Sequence, residues 1–482
     1  MRLEKLICRV KKYRLLCVIF SIMLKAKSKG SVRFGTERRI RKIRMQENQS
    51  KRAATAAFMG TTIEFYDFYV YATAAALVLG QVFFPQTDPV TGTLAAFATF
   101  AVGFIARPLA GVIFGHLGDK LGRKKMLLFT MMLMGFATAG IGLIPNYESI
   151  GIWAPILLIF CRFLQGISVG GEWGGAVLMA SEHAPKNRKT FFASFAQLGS
   201  PAGLILCLLV FKGVTSLDEA AFLSWGWRVP FLLSFALMLV GLYIRLGVSE
   251  SPEFSQMQQK QQVAKYPVKE LLVHYWPQVI FAGLTITIGS AGFFFTNTFM
   301  ITYVTQYMDI SKATILNALF WVTVLQFLTM PIAAWCAEKV GTHRFLFWVS
   351  IVCIAVPYPM FMLVQTKDIY WITAGISLAV LSLSALYAAA AGFMAEAFPT
   401  HVRYSGISIS YQMIAAIAGG TTPLIGTMLA QQYAGQWLPL ALLFSLLSLM
   451  SFIGVCGINA IHKKKTKHST ISNLSIGSAK LD

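Results

Sequence analysis

Charge is what this chain has least of. Only 13% of its 482 residues are Asp, Glu, Lys or Arg, about half the share in a soluble globular protein, which excludes a single large water-soluble core. Acids are the scarcer sign, 20 Asp and Glu against 42 Lys and Arg, so an acid within an apolar stretch stands out. The seven histidines (His116, His183, His274, His343, His401, His462 and His468) are scattered, which argues against the clustered centre a membrane-embedded transferase or hydrolase needs. The seven cysteines, Cys8, Cys17, Cys161, Cys207, Cys336, Cys353 and Cys456, show no paired spacing and fall mostly in apolar runs, so no disulfide framework or metal site is readable. No G-x-x-x-x-G-K-[ST] run occurs; an ion gradient, not nucleotide hydrolysis, is the expected energy source, and no cofactor is expected. A sensor that does not transport normally carries a substantial extramembranous domain, and no stretch provides one.

What is abundant is apolar sequence: 56% of residues are hydrophobic, gathered into runs that suit a bilayer crossing of roughly 20 residues. Twelve spans are expected, near 55–80, 92–116, 124–144, 153–181, 190–211, 226–248, 276–303, 311–336, 344–364, 369–395, 402–431 and 436–461. Much of the positive charge lies outside them. Residues 1–52 hold 17 Lys and Arg against three Glu, and "HKKKTKH" (462–468) adds four more. A run such as "RRIRKIR" (38–44) suits nucleic acid or anionic lipid, but its placement beside spans favours solvated topogenic charge, and no nucleic-acid partner is expected. The run "LLCVIFSIML" (15–24) has a basic front but no small-residue cleavage site. Met45 precedes "QENQSKR" and the first long span, so residues 1–44 read as an extension from an upstream start codon.

The loops after even-numbered spans carry 13 basic residues and those after odd-numbered spans three, Lys212, Lys312 and Lys367. That asymmetry places both termini in the cytoplasm. The chain also repeats itself. "GHLGDKLGRKK" (115–125) follows span 2, and a worn copy, "AWCAEKVGTHR" (334–344), follows span 8; "EHAPKNR" (182–188) and "EAFPTHVR" (396–403) follow spans 4 and 10. The expected organisation is therefore a basic extension (1–52), a six-helix bundle (53–248), a cytoplasmic linker (249–275), a second six-helix bundle (276–461) and a basic tail (462–482). Duplicated halves in a helical membrane protein are the architecture of a secondary transporter, with its site near midplane between them.

Span 1 contains "IEFYDFY", with Glu64 and Asp67 three residues apart and hence on one helical face. Entry near Ala53 puts Glu64 roughly 17 Å deep at 1.5 Å per residue, where a charge costs on the order of 3 kcal/mol even on the lenient scale. Such a pair suits gain and loss of a proton; the alternative is a static ion pair with Arg107 of span 2 or Arg162 of span 4. The fork of Arg162 also suits a substrate carboxylate. In span 4, Gly166, Gly170 and Gly174 form a stripe suited to close helix packing, and Glu172 interrupts it, lining the cavity or bonding a neighbouring helix. Further polar candidates for the pocket are Tyr66, Gln197, Asn297, Gln326, Tyr411 and Gln412. "GSPAG" (199–203) and "GGTTP" (419–423) read as bends at matching places in the two halves. At the loop motif, Asp119 is placed to cap a helix N-terminus or pair with Arg123.

The loop Gly115, Asp119, Lys120, Gly122, Arg123 and Lys124 resembles the loop 2–3 motif of the major facilitator superfamily, and "RFLQG" (162–166) resembles its span-4 motif. "IEFYDFYVY", "ARPLAG", "QGISVGGEWGGA", "WGWRVPFLLS", "ESPEF" and "EAFPTHVRYSG", in order over about residues 50–460, resemble the metabolite:proton symporter branch, importers of organic acids and osmolytes such as shikimate, citrate, 2-oxoglutarate, proline and betaine. The resemblance implies an all-α polytopic membrane protein of twelve helices in two pseudosymmetric halves, importing a small carboxylate-bearing or zwitterionic metabolite with protons, as a monomer, in a bacterial inner membrane. It associates Arg162 with proton transfer and implies a cytoplasmic gate of Gly115, Asp119, Arg123, Glu182 and Arg188, with Glu338, Glu396 and Arg403 serving the second half. Glu338 replaces the motif's Asp, and Gly-Thr-His its Gly-Arg-Arg, which weakens the expected gate there. "DKLGRKK" and "ESPEF" also occur in sugar porters and drug antiporters, the alternative within transporters.

Overall fold

The computed structural model describes residues 31–86 and 89–478. The chain divides into two units, Met1–Lys51 and Arg52–Asp482, and the membrane-spanning body is the second. Of the expected basic extension, residues 1–30 lie outside the described residues, including the run at 15–24; so do 479–482 of the tail.

The long helices are α1 (Ser31–Ala74), α2 (Pro89–Leu121), α3 (Arg123–Leu143), α4 (Trp153–His183), α5 (Lys189–Val214), α6 (Arg228–Leu246), α7 (Trp276–Phe294), α8 (Lys312–Val340), α9 (Thr342–Ala355), α10 (Ile369–Ala397), α11 (Arg403–Ile414) and α12 (Trp437–Ser478). Among the described residues, eleven helices are long and apolar enough to cross a membrane. The stretch expected as span 1 is helical within α1 but is not one of the eleven, because two acids and three tyrosines (Tyr66, Tyr69 and Tyr71) dilute its apolar character. Exposed aromatic residues near helix ends, among them Trp153, Trp276, Tyr370 and Trp371, match the interfacial belt of membrane proteins.

The duplication read in the sequence is visible as pseudosymmetric packing. Helix α2 packs on α4 as α8 packs on α10, and α3 on α6 as α9 on α12. Between the two sets, α2 packs on α11 and α8 on α5, one relation applied twice. Both copies of the loop motif turn on one glycine: Gly122 links α2 to α3 with φ 108°, and Gly341 links α8 to α9 with φ 98°, a region that side chains with a Cβ rarely enter. A π-helical turn follows each leading helix, Ala75–Leu79 after α1 and Phe295–Phe299 after α7; such turns cluster at functional sites. Pro201 lies inside α5 and Pro423 inside the helix Gly420–Gln432.

The glycine stripe of α4 is a packing face. A Cβ at Gly166 would stand 2.8 Å from the Ala106 Cβ, and one at Gly170 2.6 Å from the Ala110 carbonyl carbon, so α2 and α4 pack backbone to backbone. Gly174 faces Ser408 of α11. This contact is what brings α2 and α4, with their charged residues, against the second set of helices.

Candidate functional site

Among the described residues, the charged residues inside the membrane body are confined to the first six helices. Apart from the Asp119, Arg123 and Glu182 cluster beside the loop motif, Glu64, Asp67, Arg107, Arg162, Glu172 and Arg245 are buried there: three acids and three guanidinium groups. Those of α7–α12 lie near helix ends, in loops or in the basic stretch of α12 beyond His462.

The expected pairing of the α1 acids with Arg107 and Arg162 is not what the structure shows. Neither acid has an ion-pair partner within 4.0 Å among the described residues. Asp67 turns toward α6, where Ser234 Oγ donates to its Oδ1 at 2.5 Å. Glu64 lines a small cavity with Gly60, Ser168 and Glu172. Arg107 rests against the rings of Phe104 (4.3 Å) and Phe68 (4.9 Å). Arg162 lies 3.9 Å over the Tyr71 ring and donates to Gln165 Oε1 at 2.6 Å. Helical spacing fixes which face of α1 the acids occupy, but not which helix meets that face. The buried acid of this region that is ion-paired is instead Glu172, with Arg245 of α6, supported by Thr130 Oγ1, which donates to Glu172 Oε2 at 2.8 Å. Arg245 lies inside the expected span 6, and nothing in its sequence context marks it as a partner for Glu172.

Between the two sets of helices lies a cavity of about 40 Å³, lined by Phe65, Phe68 and Tyr69 of α1, Arg107 of α2, Ser200 of α5, Ser290, Phe293 and Phe294 of α7, Gln326 of α8, Ser384 and Tyr387 of α10, and Tyr411 of α11. Arg107 is its charged lining residue, and its buried Nε has no hydrogen-bond partner among the described residues. Gln326 Oε1 and Ser384 Oγ are likewise buried and unbonded, while Tyr387 and Tyr411 share a hydroxyl hydrogen bond of 3.0 Å. Forty cubic ångströms hold about three waters, less than a metabolite needs. Above it, on the face away from the loop motifs, a cavity of about 910 Å³ opens among residues such as Ala72, Ile105, Asn297 and Thr427. Phe68, Tyr69, Phe293 and Phe294 line both, forming with Phe104 an aromatic layer whose ring centroids lie 5.5–6.4 Å apart.

Several expected pocket residues are placed elsewhere. Tyr66 donates to Pro230 O at 2.8 Å, within the first set of helices. Gln197 accepts from Trp173 Nε1 and donates to Tyr387 O at 3.0 Å, and Gln412 donates to Val169 O at 2.9 Å, so both tie the two sets together below the cavity. Asn297 faces the wide cavity and donates to Phe293 O. Gln326 and Tyr411 do line the central one.

The opposite, loop-bearing face is closed. Asp119 does both things its position suggests: its oxygens accept the Tyr404 and Ser405 backbone N–H groups (3.1 and 2.9 Å), capping α11, and lie 3.4 Å from Arg123 Nη2. Arg123 donates to Thr400 O at 3.0 Å and reaches Glu182 at 3.6 Å; Arg403 pairs with Glu182 at 3.1 Å and with Glu253. A Cβ at Gly115 would come within 2.7 Å of the Ser405 Cα. The second copy keeps half of this logic, for Glu338 accepts the Phe191 N–H at 2.7 Å and caps α5. Arg188 and Glu396 make no ion pair in the network among the described residues, although the Arg188 charge acts on Glu338. Arg188 is exposed, 5.9 Å over the Phe191 ring, and Glu396 is exposed with no ion pair among the described residues. The acids that take these places come from the "ESPEF" stretch between α6 and α7. Glu250 accepts the Arg123 and Lys124 N–H groups, Ser251 Oγ bonds Glu182, and Glu253 holds Lys189 at 2.7 Å as well as Arg403. Burial pushes the Glu253 carboxyl up, but Arg403 and Lys189 outweigh it and hold it below the ordinary glutamate range.

Comparison with known proteins follows the same lines. Residues 53–274 match the family description "Sugar (and other) transporter". The chain is 42% identical over 396 residues to the shikimate transporter of Escherichia coli K12, covering 81% of this chain and 90% of the relative. It is 33% identical over 405 residues to the proline/betaine transporter of the same organism (82% and 81%), and 35% identical over 395 residues to its inner membrane metabolite transport protein YhjE (80% and 89%). Among solved structures, the proton:xylose symporter bound to 6-bromo-6-deoxy-D-glucose superposes with a TM-score of 0.68 at 16% identity, covering 87% of this chain and 96% of that one; this likeness is one of fold.

Proposed function

This chain belongs to the metabolite:proton symporter branch of the major facilitator superfamily, and we propose that it carries a small hydroxylated carboxylate into the cell together with a proton. The observation that carries the substrate class is Arg107: a buried guanidinium in the central cavity, cushioned by aromatic rings and without a carboxylate partner among the described residues. A guanidinium fork offers a carboxylate two parallel hydrogen bonds. The unbonded Gln326 Oε1 and Ser384 Oγ offer acceptors to substrate hydroxyls, which shikimate has and betaine lacks.

Coupling follows from charge. Apart from the Asp119, Arg123 and Glu182 cluster at the loop face, three acids and three guanidinium groups share the low-dielectric interior. A substrate carboxylate arriving at Arg107 leaves that set one negative charge in excess, and one proton taken up by Glu64 or Asp67 restores balance. Glu64 is within electrostatic reach of Arg107, so it is the first acid to sense the substrate. Arg162, held against Tyr71 and Gln165, keeps a positive charge near Asp67's helix and tunes rather than transfers.

The basic loops mark the cytoplasmic side, α1 is the first of twelve spans, residues 53–248 and 276–461 are the two rocking halves, and both termini are cytoplasmic. The conformation is then outward-facing with the cytoplasmic gate shut, and the aromatic layer parts to admit substrate. A single chain suffices for the cycle. In proteoliposomes with an imposed inward pH gradient, labelled shikimate accumulates in preference to proline or glycine betaine, a protonophore abolishes accumulation, and Arg107→Lys lowers apparent affinity about tenfold or more, as loss of one hydrogen bond of about 1.5 kcal/mol to a charged group implies. Preference for betaine over shikimate, or indifference to Arg107→Lys, contradicts this reading.

A further inference from the structure

We propose that the proton leaves by a track of its own, inside the first six helices, from Glu64 through Glu172 to the loop face with Arg245 as its valve, while the metabolite passes between the two halves. The proposal rests on the proton-symport reading above. Its starting point is that Glu64 does not line the central cavity. It lines a separate one of about 10 Å³ with Gly60, Ile63, Met131, Met134, Ser168 and Glu172, about the room one water needs, and Glu64 Oε2 is buried there without a hydrogen-bond partner among the described residues. Across this gap stands the Glu172 carboxylate, bonded by both Nη atoms of Arg245.

Arg245 donates from Nη1 to Leu127 O at 2.6 Å as well. It lines a second cavity of about 10 Å³ with Ala56, Ala57, Leu127, Met179, Val248 and Lys124, the last in the first turn of α3 at the loop face. The row thus reads Glu64, a water-sized gap, Glu172 with Arg245, a second gap, and the loop face. Neither gap is lined by Asp119, Glu182 or Arg403, so the row bypasses the contacts that shut the path between halves. Gly60 makes the crossing possible, because a Cβ there would overlap the Arg245 guanidinium. The charged groups acting on Glu64 are Asp67 of its own helix, Arg107 of α2, Glu172 of α4 and Arg245 of α6; the side chains α3 presents to its cavity are Met131 and Met134.

A fixed guanidinium between two gaps repels a proton, so the track is shut while Arg245 holds Glu172. The gate is connected to it. Five to eight residues beyond Arg245, Glu250 caps α3, Ser251 bonds Glu182 and Glu253 bonds Arg403. Opening the gate breaks the Arg403 bonds and frees the chain that carries Arg245. The proton then moves from the Glu64 carboxyl to Glu172, and from there to water at the loop face, each carboxylate regaining its charge.

The test uses the full chain in liposomes loaded with a pH-sensitive dye. Arg245→Gln, which leaves Glu172 able to neutralise itself by protonation, should leak protons under an imposed membrane potential without substrate about tenfold faster than wild type, a barrier drop of about 1.4 kcal/mol. Gly60→Ala, which keeps every charge and displaces Arg245, should leak in the same sense. Glu172→Gln should exchange shikimate normally while proton uptake accompanying shikimate falls about tenfold. Wild-type leak rates in both Arg245→Gln and Gly60→Ala, each checked as a single monodisperse species, would overturn the valve, and unchanged coupled uptake in Glu172→Gln would overturn the relay. Absence of proton uptake with shikimate in wild type, by contrast, would refute the symport reading itself.

Discussion

Replacing Asp119 with Asn perturbs the closed gate at its most buried contact. The Asp119 and Arg123 side chains are both fully buried, and the carboxylate accepts two N–H groups of α11. Hydrogen bonds to a charged group contribute about 1.5–3 kcal/mol each. Asn keeps one carbonyl acceptor and loses the second acceptor and the charge, while Arg123 retains Glu182 and Thr400 O, so no new orphaned charge is created. A net loss of about 2–3 kcal/mol falls on the closed-gate state alone and shifts the population about 30- to 150-fold toward the open-gate state. Spin labels at Lys125 and Glu396, both exposed and on opposite sides of the gate, report the shift as a longer distance in Asp119→Asn. An unchanged distance distribution would refute the assignment of Asp119 as a state-dependent cap.

Three further outcomes follow from the same contacts. Glu64→Gln abolishes pH-driven accumulation but spares substrate exchange, since it removes the proton site nearest the Glu172 cavity and leaves Arg107 in place; full accumulation in both Glu64→Gln and Asp67→Asn would make the acids structural. Gly170→Val forces a side chain into the Ala110–Gly111 backbone and lowers stability by about 1–3 kcal/mol or more, read as a lower melting temperature in detergent. The depressed Glu253 carboxyl contributes stability that is fully present above the unfolded value of about 4.3 and is lost only as pH falls through the lower folded value. Glu253→Gln therefore loosens the gate equally across the near-neutral range, and the pH dependence of transport there keeps its shape; a changed profile would place Glu253 in the proton pathway.

How much was legible depended on whether a feature is local in sequence. The apolar runs, the acids inside "IEFYDFY" and the paired turn glycines Gly122 and Gly341 are local, and their structural consequences could be stated from spacing alone. The partners could not. Asp119 meets Tyr404, Glu182 meets Arg403 and Arg107 shares a cavity with Tyr387 across hundreds of residues, and a helical period says nothing about which helix stands opposite. Arg245 stands alone among apolar neighbours at the end of its span, with no spacing that points to Glu172, and Glu253 lies in a stretch that reads as a linker. Ser200, Ser290 and Ser384 line the cavity, but serines in membrane helices more often bond their own backbone, so nothing in their sequence context marked them.

The central claim is that carboxylate and proton enter together at a site built around Arg107. Simultaneous recording of labelled shikimate uptake and internal acidification in proteoliposomes, with and without an imposed pH gradient, tests it most directly. The account predicts acidification that starts with shikimate addition, scales with its uptake, and is lost in Arg107→Gln although the protein remains folded. Shikimate uptake without acidification, or acidification undiminished in Arg107→Gln, would contradict it.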